Sequence, residues 1–219
     1  KVISSIFNSL NFLKTYAQFG VSVEVQKGDL NILDKWILIR LEQVTQKITE
    51  SLDAYDLAGS SREFVDFFDD LSNWYVRRSR ARFQHPDNDN DFKNAVSVLA
   101  KVVLDSAKLI APFAPFTAEA VYQDLKTMGV TLEKESVHLE DWPQVGKQIS
   151  AESLKVLEDM SEARKIASIA LEERQRAGIK VKQPLAVFET TSKIGEEFLQ
   201  TLYGEINVKN IKSGAAENK

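Results

Sequence analysis

The stretch "DDLSNWYVRRSRARFQ", residues 69–84, places four arginines within six positions, directly after a Trp-Tyr pair. An α-helix makes one turn in about 3.6 residues, so side chains three or four positions apart share a face. With that period, the apolar side chains of this stretch and of the residues just before it fall on one arc. The arc predicts a long helix over residues 56–83 that buries this face in a helical core. Its members are Phe64, Phe67, Phe68, Leu71, Trp74 and Tyr75.

The four arginines divide into two pairs on this helix. Arg78 and Arg82 continue the apolar arc. Arg77 and Arg80 lie to its side. We therefore expect the first pair to be partly buried and the second pair to be exposed. Trp74, at the edge of the arc, is expected to pack in the core rather than to stack on a ligand.

Two interpretations of the arginines stay open at this point. In the first, Arg78 and Arg82 pair with carboxylates of a neighbouring helix and only stabilise the fold. In the second, the helix presents a cationic tip flanked by aromatic side chains. Guanidinium groups bind phosphates through paired hydrogen bonds and stack on bases, so such a tip suits RNA better than duplex DNA. The formal net charge of −4 does not oppose this, because a local patch sets the local potential.

The composition is that of a soluble globular chain, with 219 residues, 43% hydrophobic and 27% charged. The absence of cysteine excludes disulfides and thiolate metal sites and is typical of a reducing cytoplasm. The two histidines, His85 and His138, are far apart, so we predict no metal site. No apolar run approaches the roughly 20 residues that cross a bilayer, and the first segment lacks the features of a signal peptide. We expect a cytoplasmic monomer, without membrane contact, that is a fragment of a longer polypeptide.

The sequence contains no glycine-rich phosphate loop, no nucleophile elbow and no pair of histidines at metal-binding spacing. The nearest carboxylates, Asp66, Asp69 and Asp70, lie among arginines of the same helix, where solvated ion pairing is the expected role. We therefore predict no catalytic, cofactor-binding or metal-binding residue in this chain. The sequence indicates binding rather than chemistry.

Helical periodicity continues to about residue 130, and the pattern then changes. After a connector, a charged helix is followed by alternating apolar and basic residues in "IKVKQPLAVFE", residues 179–189, which is typical of a strand. We predict a mostly α fold, with a helical bundle and its connector over 1–143 and a small helix-plus-two-strand unit over 144–219. The predicted helices are 2–19, a second one capped by Asp34 and ending near 55, then 56–83, 91–111, 116–128, 150–177 and 194–203, and the second strand is 206–211.

The role of two lysines in the predicted first strand stays open. Lys180 and Lys182 would share one face of the strand, with Ile179 and Val181 on the other. The lysine face is either an ordinary polar surface or a contact for the phosphates of a nucleic acid.

Several stretches together resemble a known family. "FVDFFDDLSNWYVRRSRARF", residues 64–83, resembles the signature helix in the anticodon-binding domain of isoleucyl-tRNA synthetase. The resemblance covers nearly the whole chain in the same order, with one departure at Gln84, where that family often has an aromatic residue. The supporting stretches are "LDKWILIRL" (33–41), "SLDAYDLAGSSREFV" (51–65), "LIAPFAPFTAEAVYQDL" (109–125), "HLEDWP" (138–143), "RQRAGIKVKQPL" (174–185) and "EINVKNI" (205–211).

The resemblance implies a class I synthetase anticodon-binding bundle followed by a junction unit, which together hold the anticodon arm of tRNA(Ile). The H-I-G-H and K-M-S-K-S motifs of the family's catalytic domain do not occur here, nor does an editing domain. The chain alone should therefore be inactive. The full enzyme would ligate isoleucine to its tRNA using ATP with magnesium, and the catalytic domain of the same polypeptide would be a partner. The candidate tRNA-binding residues are Arg77, Arg78, Arg80, Arg82, Trp74, Lys180 and Lys182.

Two alternatives remain beside this interpretation. One is a structural helical bundle for protein contacts, with the arginines as internal ion pairs. The other is the related anticodon domain of valyl-tRNA synthetase, although "SNWYVRRSR" with "APFAPF" fits the isoleucyl enzyme better.

Overall fold

The computed structural model describes residues 2–17, 21–25, 30–86, 88–146 and 148–214. Within it the chain divides into two compact units, residues 1–149 and 150–219. The first unit is a helical bundle, and the second combines two helices with two strands. The predicted fold class, a mostly α bundle followed by a small α+β unit, is confirmed. The elements of the first unit are α1 (Val2–Tyr16), α2 (Ile32–Asp53), α3 (Leu57–Asp69), a π-helical segment (Asp70–Val76), α4 (Arg77–Gln84), α5 (Asp89–Ile110), α6 (Pro115–Thr127) and a 3₁₀ turn (Val137–Leu139).

Helix α2 begins three residues before the position that the sequence predicted. Asn31 is its N-cap, and the Asn31 side chain accepts a hydrogen bond from the backbone N–H of Leu33 at 3.0 Å. The prediction that Asp34 caps this helix is wrong. The carboxylate of Asp34 is fully buried in the first turn. It accepts hydrogen bonds from Arg82 of α4 and from Tyr75 of the π-helical segment.

The predicted helix over 56–83 is one continuous helical path, but its period changes. Seven residues, Asp70–Val76, form π-helix, which takes more residues per turn than α-helix. The buried face therefore moves by one position: beyond Tyr75 it continues through Val76, Ser79 and Phe83. The predicted arc is confirmed as far as Tyr75. Beyond it the most buried positions are one residue further along than a uniform α-helical period predicts, and Arg78 and Arg82 lie beside them, partly buried.

Helix α2 runs antiparallel to the continuous helical path from α3 to α4. Lys47 of α2 bonds to Glu63 of α3 at 3.2 Å, while Arg40, earlier in α2, bonds to Asp70, later in the next helical path, at 2.8 Å. Pro115 opens α6, where a missing N–H costs nothing, and Gly129 ends that helix with φ 81. The end of the bundle where α1 and α4 end and α5 begins is called the arginine end below.

A polar network fixes the connector to the bundle. The hydroxyl of Tyr122 donates to Glu140 Oε1 at 2.5 Å, and Lys108 Nζ lies 2.9 Å from Glu140 Oε2. The indole N–H of Trp142 donates to Thr49 Oγ1 at 2.9 Å. Burial raises the pKa of Glu140, but the hydrogen bonds from Tyr122 and Lys108 outweigh burial and hold that pKa below its ordinary value. The ionised form of Glu140 is therefore favoured in the folded protein.

This network predicts acid sensitivity. Because the pKa of Glu140 is lower in the folded than in the unfolded chain, its contribution to stability is present above the ordinary glutamate pKa of about 4.3 and is lost as the pH falls through the folded value. In urea unfolding, Glu140→Gln should therefore have a lower free energy of unfolding than the original chain at neutral pH. Below about pH 4.3, the free energy of unfolding of the variant should fall less steeply with pH than that of the original chain. Glu133→Gln, at an exposed position, is the control. Parallel pH curves for the original chain and Glu140→Gln would contradict the assignment.

The second unit contains α7 (Ala151–Arg176), β1 (Leu185–Thr190), α8 (Glu196–Ile206) and β2 (Val208–Ser213). The two strands are parallel, with Leu185 opposite Val208 and Val187 opposite Asn210, and α8 is the crossover between them. Ser150 caps α7 by accepting a hydrogen bond from the N–H of Ser153. Among the described residues, every helix is too short or too polar to cross a bilayer.

The first strand begins at Leu185, so the prediction of a strand from Ile179 is wrong. Residues 180–183 form a turn, in which the N–H of Gln183 donates to the carbonyl of Lys180 at 2.9 Å. The guanidinium of Arg174 explains the turn, because Nη1 donates to the carbonyls of both Lys180 and Gln183 and holds them close together. Alternating apolar and basic residues therefore do not make a strand here.

Candidate nucleic-acid interface

Arg82 is bound on two sides by carboxylates. Its Nη1 and Nη2 donate to the two oxygens of Asp34 at 2.9 and 2.6 Å, and Nε and Nη2 donate to Asp91 at 2.7 Å each. The hydroxyl of Tyr75 also donates to Asp34, at 2.7 Å. Burial lowers the pKa of Arg82, but the hydrogen bonds to Asp34 and Asp91 and the negative charge of Asp34 outweigh burial and raise that pKa above its ordinary value. Arg82 joins α4 to α2 and α5.

Tyr75 is the neutral member of this network. Burial raises its pKa well above the ordinary value, and the negative charge of Asp34 raises it further. Its hydroxyl therefore stays protonated and remains a donor to Asp34. One buried carboxylate thus receives a guanidinium and a phenol, which satisfies a charge that would otherwise be costly to bury.

Trp74 and Arg78 form a second contact, one turn apart on the helix. Trp74 is buried, at 8% exposure, and Arg78 Cζ lies 5.8 Å from the centre of its ring. Arg78 is partly buried. The expected core position of Trp74 is confirmed, and so is the partial burial of Arg78 and Arg82.

Arg77 and Arg80 are exposed, as their positions beside the arc predicted. Arg80 Cζ lies 6.0 Å from the centre of the Phe12 ring, which belongs to α1. Arg80 is thus an exposed cation placed against an aromatic ring at the arginine end of the bundle. These positions leave the side chains accessible to a ligand, while their role in RNA binding stays a prediction.

The structure also brings together an aromatic cluster that the sequence analysis did not identify. The rings of Phe12 and Phe83 are 4.9 Å apart, those of Phe12 and Tyr16 are 4.9 Å apart, and those of Phe83 and Phe92 are 6.1 Å apart. Phe83 is buried, whereas Phe12, Tyr16 and Phe92 keep part of their surface in solvent. Phe12 and Tyr16 are four residues apart, which places both side chains on one face of a helix, and this spacing was the feature of the sequence that could have indicated the cluster.

Lys180 and Lys182 lie in the turn before β1, and both side chains are exposed. They belong to the second unit and do not form the strand face that the sequence predicted. Their role as phosphate contacts stays a prediction. Within the described parts of the chain, no three histidine, aspartate or glutamate side chains are grouped so that they could hold a metal ion.

Most of the chain is similar in sequence to a known protein family. Residues 34–189 match the family described as the anticodon-binding domain of tRNA ligase. The chain belongs to this family. The matched residues of this anticodon-binding domain include the entire path from α3 to α4 that carries the four arginines, but they begin after α1.

The curated relatives of this anticodon-binding domain include isoleucine–tRNA ligases. Those of Chlamydia pneumoniae and Chlamydia trachomatis are each 39% identical over 96% of this chain, and that of Clostridium acetobutylicum is 34% identical over 100% of it. The chain spans about a fifth of the length of these relatives, 20% of the first and 21% of the other two.

Proposed function

We propose that this chain is the part of an isoleucine–tRNA ligase that binds the anticodon arm of tRNA(Ile). The observation that carries the proposal is the exposure of Arg77 and Arg80 at one end of a bundle that belongs to the anticodon-binding family. Exposed guanidinium groups bind phosphates and stack on bases. The relatives named isoleucine–tRNA ligase, similar over nearly the whole chain, support the amino-acid specificity.

The four arginines divide between two roles in this proposal. Arg82 is engaged by Asp34 and Asp91 and serves to fix the helix that presents the others. Arg77 and Arg80 contact the RNA. Arg78, lying over Trp74, orients the same turn and adds positive charge beside them. Lys180 and Lys182, both exposed, are proposed as phosphate contacts that position the RNA without reading its sequence.

The remaining parts of the proposal concern the whole enzyme. The activation of isoleucine with ATP and magnesium belongs to a catalytic domain of the same polypeptide outside this chain, which is inactive by itself. We place the enzyme in the cytoplasm, as a monomer. The lack of cysteine, which is typical of proteins in a reducing compartment, supports the location.

The test is the salt dependence of binding to a tRNA(Ile) transcript. Arg77→Gln and Arg80→Gln should each weaken binding and reduce the logarithmic salt slope by about 0.7, the value for one single-stranded phosphate that the variant no longer neutralises. Neither should change the free energy of unfolding by more than about 0.5 kcal/mol, because both side chains are exposed.

Arg62→Gln is the matched control, since Arg62 is an exposed arginine near the beginning of α3, far along the helical path from the arginine end. Its affinity and slope should equal those of the original chain. If the variants at Arg77 and Arg80 behave like this control, the structural-bundle alternative is favoured. Equal competition by tRNA(Val) and tRNA(Ile) transcripts would oppose the isoleucine assignment.

A further inference from the structure

Helices α2 and α5 end side by side, at the end of the bundle opposite the arginine end. Both begin at the arginine end, where Arg82 binds a carboxylate in the first turn of each, and both are 22 residues long. Near their other ends, Trp142 of the connector bonds to Thr49 of α2, and Glu140 pairs with Lys108 of α5. Because Glu140 and Trp142 are only two residues apart, the last turns of α2 and α5 lie at the same level.

This distal end, residues 54–57 after α2 and residues 111–116 after α5, carries large apolar side chains in solvent. Tyr55 is 92% exposed and Phe116 is 91% exposed, and more than half of Leu57 is exposed. Single exposed apolar residues are ordinary on a protein surface, whereas large ones grouped at one end mark an interaction surface.

The backbone of Tyr55 is held in the left-handed region, with φ 59. Its N–H donates to the carbonyl of Leu52 at 2.9 Å, and the N–H of Asp56 donates to the carbonyl of Ser51 at 2.8 Å. This pair of bonds ends a helix in a turn that usually has glycine at the left-handed position, because a side chain there crowds its own backbone. Asp56 also caps α3 by accepting a hydrogen bond from the N–H of Gly59 at 2.8 Å, so the turn is fixed from both sides.

The fold therefore does not need the ring of Tyr55. Glycine would suit the backbone better, and a ring this exposed adds little packing. Backbone strain that the fold does not require is typical of functional positions. The turn holds an aromatic side chain rigidly in solvent, and Pro115, the first residue of α6, fixes the backbone beside Phe116. Rigid aromatic side chains are common anchors of protein interfaces.

The charges near Tyr55 distinguish a protein ligand from a nucleic acid. The exposed charged side chains nearest to it in sequence are the carboxylates of Glu50, Asp53 and Asp56. These would repel the phosphates of RNA, whereas they complement basic side chains. The proposed function assigns RNA to the arginine end, which helices of 22 residues place about 33 Å away.

We propose that the distal end is the docking surface for the catalytic part of the same ligase, with Tyr55 and Phe116 as its anchors. The inference rests on the proposed function and names the surface through which this chain contacts the rest of the enzyme. The partner offers apolar pockets for the two rings and basic side chains opposite the carboxylates. The size of the relatives supports this occupant, because the chain spans only 20–21% of their length, which leaves four fifths of such an enzyme outside it.

The experiment compares the 219-residue chain with the full-length ligase proposed to contain it. Hydroxyl radicals oxidise exposed aromatic side chains, and mass spectrometry gives the rate at each residue. Tyr55 and Phe116 should react at least about tenfold more slowly in the full-length ligase, because interface anchors lose their contact with solvent. Phe92, partly exposed at the arginine end, should react equally fast in both proteins without tRNA. Equal rates for Tyr55 and for Phe116 in the two proteins would overturn the proposal.

Two variants separate docking from folding. Tyr55→Gly should raise the Tm of the 219-residue chain by about 2 °C, because it relieves the left-handed strain. In the full-length ligase the same change removes an anchor and should return the oxidation of Phe116 to the rate of the shorter chain. Phe116→Ser should leave the Tm of the shorter chain unchanged and should expose Tyr55 in the ligase. A lower Tm for Tyr55→Gly would mean that the ring serves the fold, and the proposal would be wrong.

Ile169→Ser is the matched control. Ile169 is also an exposed apolar residue, but it lies on α7 of the second unit. Its replacement should change neither the oxidation of Tyr55 nor that of Phe116 in the ligase.

Other occupants of the distal end give different results. If tRNA(Ile) protects Tyr55 and Phe116 in the 219-residue chain, RNA covers this end. If their oxidation slows as the concentration of the chain rises, a second copy covers it. Either result overturns the proposal.

Binding of a tRNA(Ile) transcript to the 219-residue chain tests the proposed function separately. If the transcript binds while Tyr55 and Phe116 stay exposed in the full-length ligase, the docking surface is wrong and the function stands. If both residues are protected in the ligase but the chain does not bind the transcript even at low salt, the docking surface stands and the RNA-binding assignment is wrong.

Discussion

Asp34→Asn is expected to lower the free energy of unfolding by about 3 kcal/mol, the lower part of the range for breaking a buried ion pair. The Asp34 carboxylate, at 0% exposure, accepts hydrogen bonds from both terminal nitrogens of Arg82 and from the hydroxyl of Tyr75. An asparagine would present an amide N–H to one of these donors. It would also leave the Arg82 guanidinium, itself mostly buried, with a single carboxylate partner, Asp91.

Urea unfolding followed by circular dichroism measures this effect. Glu63→Gln is the matched control, because Glu63 also pairs with a cation across two helices but both partners are much more exposed, at 33% and 48% of the side chain. Exposed pairs contribute at most about 1 kcal/mol. Arg82→Met combined with Asp34→Asn should cost less than the sum of the two single changes. Arg82→Met alone leaves the buried Asp34 charge without its guanidinium, and Asp34→Asn alone removes one of the two carboxylates of Arg82. Equal losses for Asp34→Asn and Glu63→Gln would contradict the role given to this network.

The helical bundle was predictable because its apolar residues recur with the period of a helix. From Phe64 to Tyr75 that period identifies the buried face correctly. Beyond Tyr75 it does not, because the π-helical segment has more residues per turn than an α-helix and so shifts the buried positions along the sequence. Ser79, fully buried on the displaced face, gave no apolar signal.

Side chains that act over long separations in sequence were not predictable from local patterns. Asp34 has the residue type and approximate position of an N-cap, yet its partner is 48 residues away. The actual cap, Asn31, is as suitable chemically. In the second unit, the alternation around Lys180 and Lys182 suggested a strand, whereas Arg174 draws the carbonyls of that segment into a turn.

The candidate site was predictable only in part, for a related reason. Arg77 and Arg80 could be identified as exposed because they lie outside the arc of their own helix. Phe12 and Tyr16 could not be assigned to the same surface, because their pairing with α4 depends on how α1 packs. A single helix shows which residues share its face, but not which neighbouring helix that face meets.

Arg174→Met is expected to destabilise the second unit by at least about 3 kcal/mol and to unfold much of it at ambient temperature. The Arg174 side chain is buried, at 4% exposure. Its guanidinium donates to three backbone carbonyls, those of Lys180, Gln183 and Asn207, at 3.3, 3.0 and 2.8 Å. Methionine fills a similar volume but donates no hydrogen bond, so these carbonyls would lose their partner. A unit this small has little stability to lose.

Hydrogen exchange separates this local effect from a general one. The N–H of Leu185 bonds to the carbonyl of Asn207, the same carbonyl that Arg174 holds in place, and should lose protection in Arg174→Met, together with the amides of β1 and β2. The amides of α2 and α5 should keep theirs, because those helices belong to the other unit.

Arg176→Met is the matched control for this change. Arg176 lies two residues further along α7, is exposed, and pairs with Glu172 and Glu173 at 2.7 Å each. Such pairs within a helix contribute a few tenths of a kcal/mol. Arg174→Lys should recover only part of the stability, because one ammonium group cannot reproduce the fixed fork of a guanidinium across carbonyls from three positions. If Arg174→Met and Arg176→Met leave β1 and β2 equally protected, the three carbonyls do not depend on Arg174, and the turn before β1 has another cause.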